Sequence, residues 1–231
     1  MSKRHPKARR SSQGTHDADD TFVVGVLEAS NWAKANQQLM TVGGVLLVLM
    51  IAGGFYYVNY QSEMNVRAAE SLETIYQSIS ISDTEGAKID LATFLDRFGS
   101  TAYDGEARLV LGELYLDSGD PQQALAVLGP IGERPGSPIA LQAAGLLAQA
   151  YEQEGRWKEA EETYIAIAER SELDFQKQDA LVASARIRNS QGDGVGAVEL
   201  YRRVLDALEP NAPERGEFEM RIQEIQSNSS S

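Results

Sequence analysis

The sequence contains no cysteine, and its only histidines, His5 and His16, fall within its first twenty residues. Disulfides and cysteine-based zinc sites are therefore excluded. Beyond position 16 there is no residue from which to build a Ser–His or Cys–His nucleophile pair or a histidine-ligated metal site. No stretch shows the alternation of β-branched and polar residues that marks a half-buried strand, so no β-sheet is expected. Charge is missing from Ala35 to Ser62. Positive charge is scarce elsewhere: residues 39–231 carry 15 Lys/Arg against 30 Asp/Glu, a net charge of -15. A surface this acidic repels phosphate backbones, which excludes nucleic-acid binding.

Few arrangements that might carry chemistry remain. Adjacent helical residues point about 100° apart, so Glu161-Glu162 reads as a solvated face rather than an acid/base pair. Gly192-Asp193-Gly194-Val195-Gly196 is dense in glycine, but no Lys-Ser/Thr follows it, as a phosphate-cradling loop requires. It reads as a turn with Asp193 capping the next helix. The chain is expected not to be an enzyme and to need no cofactor or metal.

The uncharged stretch centres on Leu39 to Val58. Twenty helical residues span about 30 Å, the thickness of a bilayer's hydrocarbon core. Tyr56, Tyr57 and Tyr60 cluster at one end and Trp32 precedes the other, as interfacial anchors do. The basic residues Lys3, Arg4, Lys7, Arg9 and Arg10 lie far upstream and no small-residue cleavage site follows, which favours an uncleaved signal anchor over a signal peptide. These five and Lys34 sit in the short flank, so the N-terminus is expected to be cytoplasmic and the C-terminal domain outside. Gly43 and Gly54 return to nearly the same helix face, where either a partner helix or nothing in particular is served.

The expected organisation is a disordered cytoplasmic tail over 1–20, an amphipathic or juxtamembrane segment over 21–38, a transmembrane helix over 39–60, a helical repeat domain over 61–226 and a disordered end over 227–231. Phe22, Val23, Val26 and Leu27 form one apolar stripe in the second of these. That stripe fits either a helix on the membrane surface or a lead-in to the spanning helix.

After Ser62 the chain repeats every 36–37 residues. Gly112, Ala148 and Ala185 align, as do Gly119, Gly155 and Gly192, and Ala124, Ala160 and Ala197. Leu128, Tyr164 and Tyr201 follow the same register. Ala87 and Leu91 mark a fainter earlier copy. Each unit reads as a helix, a tight turn near the glycine and a second helix, with the small residues letting the two approach. One such hairpin cannot bury its own apolar face, so neighbours must stack. A last helix, 213–226, carries Phe218, Ile222 and Ile225 on one face and reads as a cap.

Leu111-Gly112, Tyr115, Gly119-Asp120 and Ala124 resemble a tetratricopeptide repeat. So do Leu147-Ala148, Tyr151, Gly155, Ala160 and Tyr164. The third unit has Arg188 where the tyrosine belongs. The expected fold is all-α: one N-terminal transmembrane helix, then a tetratricopeptide-repeat-like array of about four hairpins with a C-terminal capping helix. Together with the Gly-rich span ending in aromatics, this layout resembles the YfgM-like family of bitopic proteins. The resemblance implies an ancillary subunit of the SecYEG translocon in the inner membrane. Such a subunit would sit beside a periplasmic peptidyl-prolyl isomerase chaperone and assist unfolded or nascent secreted proteins. A scaffold for envelope assembly or cell division is the alternative. In arrays of this kind the first helix of each hairpin lines the concave groove. By that register the partner-binding residues are Glu106, Leu109 and Glu113 on one hairpin, Gln142, Gln149 and Glu152 on the next, and Arg186 and Asn189 on the third.

Overall fold

The computed structural model describes residues 34–228. The basic cluster, both histidines and the stripe ending at Trp32 lie outside the described residues, as do 229–231. The chain divides into two compact units after Tyr60, and helix α1 (Gln37–Ser80) contributes to both.

In the first unit, residues 37–60 of α1 carry no charge and all of them are exposed. Phe55 is 77% exposed and Leu46 55%. In water each such side chain costs roughly 1.5–3 kcal/mol relative to burial. The helix is long and apolar enough to cross a membrane. Its hydroxyl near the start is satisfied internally, since Thr41 Oγ1 donates to the Gln37 carbonyl at 2.8 Å.

The second unit opens with residues 61–80 of α1. It continues through α2 (Thr84–Phe98), α3 (Asp104–Asp117), α4 (Pro121–Gly132), α5 (Pro138–Gln153), α6 (Trp157–Arg170), α7 (Asp174–Ser190), α8 (Gly194–Ala207) and α9 (Arg215–Asn228). No strand occurs among the described residues. Successive helices pair as four hairpins, and α9 stands alone at the end.

One backbone device makes all four hairpin turns. Gly119, Gly155 and Gly192 adopt φ of 76°, 72° and 84°, a left-handed conformation open to glycine without Cβ strain. In each case the next residue's N–H reaches back five residues: Asp120 to the Tyr115 carbonyl, Arg156 to Tyr151, and Asp193 to Arg188, at 2.8–2.9 Å. This closes the carbonyls a helix end leaves open. The first hairpin uses the same bond, from Asp83 N–H to the Ser78 carbonyl at 3.1 Å, with Ser82 at φ 65° in the glycine position. The repeat that is faint in sequence is thus intact in its backbone. Asp83 and Asp193 then cap α2 and α8 by accepting from Gly86 and Gly196 N–H.

The aligned small residues are where helices meet. Ala124, Ala148, Ala160, Ala185 and Ala197 are wholly buried. A Cβ on Gly112 would stand 2.5 Å from Leu128 Cγ, so α3 and α4 can lie at this spacing only with glycine there. Neighbouring hairpins share each patch of core: Leu116 of α3 and Leu128 of α4 pack with Ala143 and Leu147 of α5. This is the burial a lone hairpin cannot achieve.

The last helix begins at Arg215 rather than 213. The Arg215 guanidinium donates to the Leu205 and Leu208 carbonyls at the end of α8, at 2.7 and 3.3 Å, which fixes the corner. Phe218 and Ile225 are buried, with the Phe218 ring 6.1 Å from that of Tyr201. Glu219, Met220 and Gln223 face outward, so the array ends on a mainly polar surface.

Candidate functional site

All eight residues expected in the groove lie on first helices of hairpins: three on α3, three on α5 and two on α7. They do not form one constellation. Glu113, Gln142, Gln149, Arg186 and Asn189 are exposed, while Glu106, Leu109 and Glu152 are half-buried. Leu109 packs against the middle of the core. Gln142 borders a cleft of about 550 Å³ between the α4–α5 and α6–α7 loops, with Pro135, Leu141 and Leu173.

Two of the eight are brought together. Arg186 Nη2 donates to both Glu152 oxygens, at 2.8 and 2.6 Å, and joins α7 to α5. The Tyr164 hydroxyl on α6 donates to the same carboxylate at 2.8 Å. Burial first, and then the Glu152 carboxylate, pushes the Tyr164 pKa well above its ordinary value. A similar bond links the first two hairpins, where the Tyr76 hydroxyl donates to Glu106 Oε1 at 2.5 Å. Tyr76 is likewise pushed up, chiefly by burial and then by Glu106. Glu106 and Glu152 thus spend acceptor capacity on the protein itself.

Arg186 and Asn189 border a second cavity, of about 310 Å³, between α7 and α9. Tyr201, Glu217, Arg221, Glu224 and Asn228 complete its polar lining. Burial is the chief cause that pushes the Tyr201 pKa up, with Arg221 and Arg186 opposing it and Glu217 and Glu224 adding to it. Sequence reasoning registered Tyr76, Tyr164 and Tyr201 only as packing residues. Nothing in the repeat pattern distinguishes a packed ring from its hydroxyl's partner. Arg221 was missed because α9 is not part of a complete repeat.

One reading is corrected. Glu161 is not a merely solvated carboxylate: Arg188 Nε donates to its Oε1 at 2.6 Å, and both side chains are partly buried. Its neighbour Glu162 is exposed, with Lys158 3.8 Å away. The glycine-dense turn is as expected, since Asp193 caps α8. Among the described residues, no group of His, Asp or Glu is arranged to hold a metal ion.

The chain matches the model of the tetratricopeptide repeat-like domain over residues 30–227. No curated protein matches it. Among solved structures it is similar to a tetratricopeptide repeat protein from Parabacteroides merdae, with 14% identity and a TM-score of 0.58 over 70% of this chain and 60% of that one. It is also similar to a Podosopora anserina protein described as a kinesin light chain with nearly identical TPR-like repeats. There the identity is 20% and the TM-score 0.55, over 71% of this chain and 88% of that one. At these identities the likeness is one of fold.

Proposed function

Because the chain belongs to the tetratricopeptide repeat-like domain family, we propose that it is a membrane-tethered protein-binding module ancillary to the SecYEG translocon. Arrays of this fold are typically non-enzymatic scaffolds that hold other proteins. The observation that carries the finer reading is the exposed, uncharged helix over 37–60, ahead of the repeat domain. An apolar surface of that length needs lipid around it.

In this reading the helix crosses the inner membrane, the N-terminus is cytoplasmic and the repeat domain over 61–226 is periplasmic. There the first helices of the hairpins present a groove, Glu106 to Asn189, to a periplasmic peptidyl-prolyl isomerase or to unfolded secreted chains. The resemblance to YfgM-like proteins supports the choice of translocon. The test is affinity purification from mildly solubilised membranes, with bound proteins identified by mass spectrometry. Recovery of SecY, SecE or SecG together with a periplasmic isomerase supports the reading. Recovery of envelope-assembly or division proteins without translocon subunits overturns it in favour of a scaffold for those complexes.

A further inference from the structure

Two inter-hairpin loops set an apolar cleft and an exposed ring side by side. The cleft, of about 550 Å³, lies between the α4–α5 and α6–α7 loops and is walled by Pro135, Pro138, Leu141 and Leu173. Leu173 is 50% exposed, and two residues on, at the start of α7, Phe175 is 60% exposed. Phe175 is not part of the cleft's own lining. An exposed ring next to an apolar concavity marks an interaction surface, whereas a single exposed apolar side chain is ordinary.

Charge indicates what covers this surface. Arg170 and Glu172 both line the cleft, and neither has an ion-pair partner among the described residues. Both are exposed. Residues 133–138 and 169–177 together carry three Lys/Arg and four Asp/Glu, a net charge of -1, against -15 for residues 39–231 as a whole. Two copies of so acidic a chain repel one another, and a nearly neutral edge escapes most of that repulsion.

We propose that this edge is a twofold interface between two copies of the chain, in which the Phe175 ring of each enters the cleft of the other. A twofold contact is self-complementary, so what one copy offers the other receives. Arg170 of each copy then meets Glu172 of the other, and one pair of side chain types makes two ion pairs. At about 550 Å³ the cleft is of the size that encloses a small organic ligand, so a single ring fits. The contact is small. An aromatic side chain buries roughly 150–250 Å², so two rings and two leucines fall short of the roughly 1,200 Å² of a stable interface in solution. Association therefore depends on confinement. The proposal rests on the membrane-anchored reading, in which residues 37–60 hold all copies in one bilayer and raise their effective concentration. Both copies are anchored from the same side, so the twofold axis runs along the membrane normal.

The test uses the full chain reconstituted at low density in phospholipid vesicles. The chain has no cysteine, so Asp96→Cys provides a single labelling site for donor and acceptor dyes. Energy transfer in excess of that from random proximity is expected. Phe175→Ser should weaken association by about a hundredfold, since it removes the ring from both halves of the contact at about tenfold each. Its Tm should not fall, because the ring is mostly exposed. Arg170→Glu and Glu172→Arg should each abolish the excess transfer alone and restore it when mixed with each other. A folding defect gives no such rescue. Absence of excess transfer, transfer untouched by Phe175→Ser, or mixed charge variants that fail to associate overturns the interface. A chain that alkaline carbonate strips from the vesicles overturns the membrane reading and the proposal together. A chain that stays in the vesicles without excess transfer overturns the proposal alone.

Discussion

Arg188 Nε donates to Glu161 Oε1 at 2.6 Å, a bond between α7 and α6 made from the position where the second and third hairpins place tyrosine. Tyr115 and Tyr151 fill that position with a ring in the first helices of their own hairpins. Arg188 instead reaches across to the preceding hairpin and also approaches Asp193 at 3.9 Å. Glu161, the first cause, holds the guanidinium pKa above its already high value.

A double-mutant cycle with Arg188→Met and Glu161→Gln should give a coupling of about 1 kcal/mol, at the upper end for a partly exposed pair. The coupling should shrink in high salt. Thermal or urea unfolding of the two single variants and the double variant measures it. A coupling near zero would mean that the pair is only a packing contact.

Ser82 should be improved by glycine. A non-glycine residue in the left-handed region costs roughly 1–2 kcal/mol, partly offset by the extra chain entropy glycine loses on folding, about 0.5–1 kcal/mol. Ser82→Gly is expected to stabilise the domain by about 0.5 kcal/mol. Gly155→Ala, at φ 72°, is expected to destabilise it by about 1 kcal/mol or more. Opposite shifts in Tm for the two substitutions are the check.

Alkali should unfold the domain through its tyrosines. Tyr76, Tyr164 and Tyr201 all have folded pKa values above the ordinary value of about 10. The unfolded chain therefore loses these protons first. Their contribution is fully present below about pH 10 and is lost as pH rises towards the folded values. Unfolding midpoints should fall steeply above pH 10, and more gently in Tyr164→Phe. Tyr164→Phe should also cost stability at neutral pH, because Glu152 loses a donor. An alkaline limb unchanged by that substitution would assign it to other groups.

The repeat was legible in the sequence because its signal is steric. Gly112 against Leu128, the buried alanines and the left-handed glycines are positions where few residue types fit, so residue identity reports geometry directly. The first hairpin was faint because Ser82 tolerates, at a cost, a conformation that glycine would otherwise announce. The hydrogen-bonding partners were not legible. Glu152, Arg186 and Tyr164 come from three helices, and no periodicity says that their polar ends converge. Arg188 looked like a departure from the pattern because its partner, Glu161, sits 27 residues away on a different helix. The groove positions could be assigned to first helices, but which of them already serve the fold depended on those long side-chain reaches.

The four identical turns bear on how the domain assembles. Each is closed by a backbone bond spanning five residues, and the main helix contacts join neighbours in the chain or one first helix to the next. Little sequence separation has to be bridged before contacts form, the condition for rapid folding. A chain of this design need not wait for its C-terminus. Each hairpin can settle onto the one before it as soon as it is available, so assembly can keep pace with vectorial delivery of the polypeptide.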